Sequence, residues 1–352
     1  MFYLERRKTK EFKIGKIGIG GEYPVTIQSM LNTKNGDISS AIEQTERLKD
    51  AGCDIVRLAV TDDKSIEVVK ALKSRIDIPL VADIQFDYKM ALKSIEAGID
   101  KIRLNPGNIG SDDKVREVVK SASERNLPIR IGVNTGSVSK EIAERYGRYS
   151  PEGLVLEAQR HIDILESLNF ENIVISLKAS DVVTMIKSYK MMASRCDYPL
   201  HLGVTEAGTA YSGTVKSAVG IGALLADGIG DTIRVSLTDE PCEEIRAAKE
   251  ILKSLGLKKD GASLVSCPTC SRCSIDLISI AKEVTKRLES VQKNIKVAVM
   301  GCVVNGPGEA QDADIGITGA NGEGLIFKNG EIIRRVPEEK IIDELFLEID
   351  KL

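Results

Sequence analysis

Short apolar segments recur along the first two thirds of the chain, and each is followed by a segment with helical periodicity. Stretches such as SAIEQTERLKDAG and DKVREVVKSASERN repeat apolar residues at helical spacing. This alternation predicts parallel strands joined by crossover helices. The predicted strands are PVTIQSM (24–30), DIVRLAV (54–60), PLVADIQ (79–85), DKIRLN (100–105), PIRIGVN (128–134), NIVISLK (172–178), PLHLGVT (199–205) and DTIRVSL (231–237).

Eight strand–helix units over about 230 residues predict a (β/α)8 TIM barrel, with a doubly wound open sheet as the alternative. The glycine-rich segment GKIGIGG (15–21) precedes the first barrel strand and predicts a hairpin at the barrel bottom. After the last barrel helix, the polar turn KKDGAS suits a domain boundary. We predict a barrel domain over residues 1–257 and a smaller α/β domain over residues 258–352.

Charge and composition exclude several classes of protein. With 49 Lys and Arg against 52 Asp and Glu, the formal net charge is −3, so we expect no general affinity for nucleic acid or anionic membranes. The segment MFYLERRKTKEF lacks the apolar core of a signal peptide, and no apolar run approaches the roughly 18 residues of a membrane span. We expect a cytoplasmic protein. In that reducing compartment, clustered cysteines more often bind metals or catalyse reactions than form disulfides.

Charged side chains recur on one face of the predicted strands. Residues two apart in a strand share a face, so Arg103 lies beside Asn105 and Lys178 beside Ser176. A barrel interior that serves only packing is mostly Val, Ile and Leu. The cations expected to converge inside the barrel are Arg57, Arg103, Arg130, Lys178 and Arg234.

Unpaired buried cations are costly, so these side chains need anionic partners. Structural ion pairs with barrel acids such as Asp83 and Glu206 are one possibility. Two acids do not neutralise five cations, although further carboxylates from the loops could. The forked donors of arginine favour phosphate oxygens, so we predict a site for a compact polyphosphorylated ligand. The loop NPGNIG (105–110) adds candidate backbone N–H donors at the C-terminal strand ends. His161, on a predicted helix, is expected to have a surface or packing role.

Four of the seven cysteines lie in two short segments, CPTCSRC (267–273) and GCVVNGPGEA (301–310). Zinc sites of the strongest type pair two C-x2-C motifs, and here the second pair is missing. Three cysteines at C-x2-C-x2-C spacing with a distant fourth favour a [4Fe–4S] cluster over zinc. A redox cluster together with a phosphate pocket suggests delivery of electrons to a substrate.

Several motifs together resemble the 4-hydroxy-3-methylbut-2-enyl diphosphate synthase family. They are VRLAV, ADIQFD, KIRLNPGNIG, PIRIGVNTGS, SLKASD, PLHLGVTEAG, GIGDTIRVSL, CPTC and GCVVNGPGEA. The resemblance implies a TIM barrel followed by an iron–sulfur cluster domain, and the two-electron reductive ring opening of 2-C-methyl-D-erythritol 2,4-cyclodiphosphate. It also implies reduced ferredoxin or flavodoxin as the electron donor, and a homodimer in which one subunit's cluster domain caps the other's barrel.

The resemblance also implies roles for particular residues. Glu206 would handle protons near the substrate hydroxyls, and the cluster would be held by Cys267, Cys270, Cys302 and Glu309. Glu309 is also a candidate catalytic residue, because a carboxylate is a more exchangeable partner for iron than a thiolate. The family's substrate-binding residues correspond to Arg57, Arg103, Arg130, Asn134, Lys178 and Ser266. Further candidates for substrate binding are Asp83, His201, Arg234, Ser236 and Asn305.

Two positions depart from the family pattern. Gln85 stands where the family commonly has His, and Cys273 replaces a residue that is not cysteine in most relatives. Spacing alone makes Cys273 a ligand, whereas the resemblance favours Glu309, so we expect Cys273 to pack nearby without ligating. The alternative functions are an iron–sulfur electron carrier, which has no use for five converging cations, and a zinc-stabilised barrel that binds a phosphate ligand.

Overall fold

A computed structural model describes residues 4–258, 261–302, 310, 312–320 and 323–352. The chain divides into two units, residues 1–258 and 259–352. No helix in the described part of the chain combines the length and the apolar character needed to cross a membrane.

The first unit begins with an antiparallel hairpin of β1 (Phe12–Ile14) and β2 (Ile17–Ile19). Ile14 and Ile19 are fully buried against Ile55 and Val81, which lie near the start of two barrel strands. The hairpin therefore packs against the N-terminal end of the barrel, as its glycine-rich sequence predicted.

Eight parallel strands follow in one sheet, and all eight overlap the predicted segments. The sheet order is β8-β7-β6-β5-β4-β3-β10-β9, and a parallel bridge between Ile175 and Leu200 joins its two edges. The predicted TIM barrel is confirmed. The strands are β3 (Thr26–Met30), β4 (Ile55–Ala59), β5 (Leu80–Asp83), β6 (Lys101–Arg103), β7 (Ile129–Asn134), β8 (Ile173–Lys178), β9 (His201–Leu202) and β10 (Thr232–Ile233).

The helices of this unit bury an apolar face against the outside of the sheet. Caps set several of their starts: Asp37, Asp62 and Asp181 each accept a hydrogen bond from a backbone N–H in the first turn. The helices are α1 (Ile38–Asp50), α2 (Asp63–Arg75), α3 (Tyr88–Glu96), α4 (Asp112–Ser123), α5 (Lys140–Tyr146), α6 (Pro151–Ser167), α7 (Val182–Ala193), α8 (Ala210–Ala226) and α9 (Pro241–Ser254).

The second unit contains a mixed five-stranded sheet with its own apolar core. Strands β11 (Ser263–Ser266), β12 (Lys296–Met300) and β13 (Ile315–Ala320) are parallel neighbours, and β14 (Glu323–Lys328) and β15 (Glu331–Pro337) continue the sheet antiparallel. Helices α10 (Leu277–Leu288) and α11 (Ile341–Asp350) contribute apolar side chains to this core. Because β11 and β12 are parallel, the segments that follow them leave the sheet at the same end.

Candidate functional site

Asp83 at the end of β5 holds two of the predicted cations. Its carboxylate oxygens lie 3.4 Å from Arg57 Nη2 and 3.4 Å from Arg103 Nη1. Burial alone would raise the pKa of Asp83, but Arg57 and Arg103 keep it below its ordinary value. Burial lowers the pKa of Arg57 to about 10, although Asp83 opposes the shift. These three side chains form an ionised group near the C-terminal ends of β4, β5 and β6.

Arg130 and Lys178 have no ion-pair partner among the residues that the structure describes. Arg130 is 1% exposed, and its Nε has no hydrogen-bond partner there. Burial lowers the pKa of Arg130, and the nearby Arg57 and Arg103 lower it further. Burial likewise lowers the pKa of Lys178, with added repulsion from Arg234 and Arg130. The predicted convergence of cations is therefore present in the structure.

Two glycines leave space for the side chains of Arg103 and Lys178. A Cβ built on Gly132 would lie 2.6 Å from Arg103 Nε, and one on Gly203 would lie 2.7 Å from the carbonyl oxygen of Arg234 and 2.9 Å from Lys178 Nζ. Contacts this short mean that a larger residue at either position would displace the neighbouring atoms, including the charged groups. Asn105 supports the same region, since its side chain exchanges hydrogen bonds with both the N–H and the carbonyl of Gly132, at 2.9 and 3.0 Å.

The second acid among the cations is Glu244 on α9 and not Glu206. Glu244 Oε1 lies 3.3 Å from Arg234 Nη2, and its other oxygen accepts a hydrogen bond from Ser29 Oγ at 2.9 Å. Glu206 is exposed just past β9 and pairs with no cation in the described chain. The alternative of structural ion pairs named Glu206 instead of Glu244. Glu244 was missed because it lies on helix α9, and the strand pattern covers only residues on the strands. Five cations thus face two acids, as the anion-site prediction requires.

The remaining predicted barrel residues lie around this cluster. Asn134 is exposed at the end of β7, and Ser236 is half-buried just past β10. Gln85, at the position of the usual His, is exposed just past β5. Glu206 has a φ of +51°, in the left-handed region that side chains rarely adopt. Such strain is concentrated at functional sites in proteins.

The barrel interior is more polar than the strand pattern predicted. His201 is fully buried, with Nδ1 3.2 Å from Thr232 Oγ1, and its pKa lies well below the ordinary value because of burial and then Arg130. Lys101 is also fully buried, and no prediction included it. Its position two residues before Arg103 was the available signal, because side chains at that spacing share a strand face.

His161 connects helix α6 to the loop at 105–110, a role that helical spacing did not predict. Its Nδ1 accepts a hydrogen bond from the N–H of Gly107 at 3.3 Å, and its Nε2 lies 3.3 Å from Glu157 Oε1. Glu157 Oε2 accepts a further bond from the N–H of Ser139 at 2.8 Å. His161 and Glu157 are both buried, so this network fixes two loops that follow β6 and β7.

In the second unit, the two cysteine segments meet where β11 and β12 end. Gly301 N–H donates to Cys267 Sγ at 3.2 Å, and Cys302 follows Gly301 directly. Cys270 is exposed, and the Arg272 backbone N–H lowers the pKa of its thiol. Cys273 Sγ donates to the carbonyl of Ile275 at 3.3 Å.

Ser266 is exposed at the end of β11. Asn305 and Glu309 lie outside the described residues. Within the described part of the chain, no three His, Cys, Asp or Glu side chains are grouped so as to hold a metal ion.

Comparison with known families covers both units. Residues 9–249 match the GcpE TIM-barrel domain, and residues 263–351 match the GcpE protein C-terminal domain. The chain belongs to the GcpE family. Its curated relatives include proteins named 4-hydroxy-3-methylbut-2-en-1-yl diphosphate synthase (flavodoxin). The one from Clostridium perfringens is 58% identical and spans 99% of this chain and 100% of the relative, and the one from Geobacillus thermodenitrificans is 56% identical and spans 99% and 93%.

Among solved structures, the GcpE barrel is similar to a dihydropteroate synthase from Xanthomonas albilineans in complex with 7,8-dihydropteroate. The TM-score is 0.51 at 10% identity, and the match covers 70% of this chain and 98% of the other. At that identity the likeness concerns the fold alone.

Proposed function

We propose that this GcpE protein reductively opens the ring of 2-C-methyl-D-erythritol 2,4-cyclodiphosphate to give 4-hydroxy-3-methylbut-2-enyl diphosphate. The observation that carries the proposal is the group of five cations facing two carboxylates near the C-terminal ends of the barrel strands. The names of the relatives with 56–58% identity support the same reaction.

In this proposal the cations bind the diphosphate. Arg130 and Lys178 have no ion-pair partner among the described residues and can donate hydrogen bonds to phosphate oxygens, and Arg57 and Arg103 can share their donors between Asp83 and the ligand. Asn134, His201, Arg234, Ser236, Ser266 and Asn305 complete the proposed substrate-binding set. Glu206 holds or moves a proton at the substrate hydroxyl groups, and the strained backbone at that residue supports a functional role.

The chemistry of the cysteine segments fits a [4Fe–4S] cluster. Cys267 Sγ already accepts an N–H bond, the pKa of Cys270 is lowered, and both favour the thiolate that iron requires. We propose Cys267, Cys270, Cys302 and Glu309 as the residues that hold it. Cys273 stays outside this set, since its thiol donates to a backbone carbonyl. When bound, the cluster supplies electrons for the reduction.

We propose flavodoxin as the electron donor, because the names of the relatives include it.

We also propose a homodimer. An exposed apolar stripe on α8 supports self-association, since Tyr211, Val215 and Val219 recur at helical spacing and are 84%, 48% and 55% exposed. A Val215→Lys variant that leaves the mass in solution unchanged would argue against this contact surface.

Substrate binding is tested with Arg130→Ala and Lys178→Ala, and with Lys120→Ala on the exposed face of α4 as the control. Both site variants should bind the cyclodiphosphate at least tenfold more weakly, because a charge-assisted bond to phosphate is lost. Their melting temperatures should be unchanged or higher, because repulsion between cations is relieved. Unfolding with unchanged affinity would instead mean that these cations are structural.

The cluster is tested by anaerobic determination of iron and sulfide. We expect about four irons per chain, which a [4Fe–4S] cluster requires, with loss of iron in Cys302→Ser and retention of iron and most turnover in Cys273→Ser. Glu309→Ala should keep part of the iron and lose activity. Tightly held zinc without sulfide would support the zinc-stabilised alternative, and loss of the cluster in Cys273→Ser would make Cys273 a ligand.

A further inference from the structure

Lys101 lies inside the barrel on the face of β6 that also carries Arg103. Its side chain is fully buried, and its Nζ has no hydrogen-bond partner among the described residues. Its register neighbour on β5 is Val81, which packs against the N-terminal hairpin, whereas Arg103 pairs in register with Asp83. Lys101 therefore lies deeper along β6 than Arg103, and the proposed binding of phosphate does not use its amine.

The interior around Lys101 carries a large excess of positive charge. Burial, and then Arg130 and Arg57, hold the pKa of Lys101 well below its ordinary range. The charged and titratable groups that the surrounding elements bring to this interior are Arg57 on β4, Asp83 on β5, Arg103 on β6, Arg130 on β7, Lys178 on β8, His201 on β9, Arg234 just past β10 and Glu244 on α9.

Neutral polar groups inside the barrel also lack partners. Both side-chain polar atoms of Gln28 and Nε2 of His201 are buried without a partner among the described residues. An apolar core would exclude an ammonium group under all conditions, whereas these dipoles can accommodate one. The protonation state of Lys101 therefore depends on the net charge of the cation cluster, including any anion bound to it.

We propose that Lys101 takes up one proton from solvent when a phosphate anion binds to the cation cluster. A neutral amine and a solvent proton give an ammonium group, and no other bond changes. The anion offsets the guanidinium charges of Arg57 and Arg130, so the cost of one more cation falls. Lys101 is thus a positioning residue that adjusts the charge of the site without touching the ligand. The inference rests on the proposed function, because it requires anion binding at this cluster.

Proton uptake is measured by titration calorimetry of the full-length holoprotein with the cyclodiphosphate, anaerobically and without an electron donor. Titrations in two buffers of different ionisation enthalpy give the number of protons taken up. Each phosphorus of the cyclic ligand carries a single strongly acidic group, so the ligand exchanges no protons near neutral pH. The variants are Lys101→Met and Lys101→Gln, with Lys120→Met on exposed α4 as the matched control.

The wild type and Lys120→Met should take up about one proton per bound ligand, and the affinity should fall by about tenfold per pH unit above the pKa of the free amine. Both Lys101 variants should take up about one proton fewer than the wild type, and their affinity should depend less on pH. Binding without proton uptake in the wild type overturns the inference, as does unchanged uptake in a folded Lys101 variant. Absence of binding in the wild type overturns the proposed function itself and this inference with it.

Discussion

His161 Nδ1 accepts a hydrogen bond from the backbone N–H of Gly107 at 3.3 Å, while His161 Nε2 faces Glu157 at 3.3 Å. The ring therefore contacts a backbone donor of the loop at 105–110 with one nitrogen and a carboxylate of its own helix with the other. The imidazole thereby links a helix on the outside of the barrel to the loop that follows β6.

Replacement of His161 should loosen the loop at 105–110. In His161→Leu both bonds are lost, so we expect the free energy of unfolding to fall by about 1–3 kcal/mol, together with weaker binding of the cyclodiphosphate. His161→Gln keeps a donor and an acceptor and should recover part of both. Calorimetry and thermal melts provide the two readouts. Equal affinity in all three proteins would show that this loop does not contribute to the ligand site.

The stability contributed by Glu157 should depend on pH. Burial alone would raise its pKa, but bonds from His161 and Ser139 lower it from 4.5 to about 2. A carboxyl with a depressed pKa stabilises the fold above its unfolded-state pKa, and this contribution is lost as the pH falls toward the folded-state value. The stability difference between wild type and Glu157→Gln should therefore be constant above about pH 5.5 and shrink below about pH 4.5. Chemical denaturation across this range measures it.

The control for that series is Glu117→Gln on the exposed face of α4, whose difference from wild type should stay near zero throughout. A Glu157→Gln difference that does not change between neutral and acidic pH would mean that the carboxylate charge contributes nothing.

A methyl group on either interior glycine should displace a cation. Gly132→Ala crowds Arg103 and Gly203→Ala crowds Lys178, so each should lose stability by about 1–3 kcal/mol and bind the cyclodiphosphate more weakly. Gly222→Ala on α8 is the matched control, because a Cβ there meets nothing within 4 Å. That variant should be as stable as wild type or slightly more so. Unchanged affinity in Gly203→Ala would place Lys178 outside the ligand contacts.

Glu244→Gln should separate stability from binding. The variant loses the charge that faces Arg234, so its melting temperature should fall. Its increase in melting temperature on addition of the cyclodiphosphate should exceed that of wild type, because the ligand then supplies the missing negative charge. Glu250→Gln, exposed on the same helix, should behave as wild type in both measurements. A smaller increase in Glu244→Gln would mean that Glu244 is needed to orient Arg234 for binding.

The barrel could be predicted from the sequence because its signals are local. Each strand is a short apolar run, and the alternation of faces is enough to bring Arg57, Arg103 and Arg130 to one interior. The partners of these groups could not be predicted in the same way. Glu244 reaches Arg234 from a helix, and His161 reaches Gly107 across 54 positions of sequence. Such pairs depend on how α6 and α9 pack on the sheet, which no periodicity specifies.

The hairpin at the N-terminal end of the barrel limits how a ligand and protons reach the interior. Because Ile14 and Ile19 cover the N-terminal end of the barrel, we expect a ligand to reach the cations from the C-terminal ends of the strands. Under the proposal for Lys101, its proton would cross the same end of the barrel as the substrate and the product. A phosphate bound to those cations would lie between Lys101 and the solvent at that end, so we expect Lys101 to exchange its proton more slowly in the complex than in the free protein.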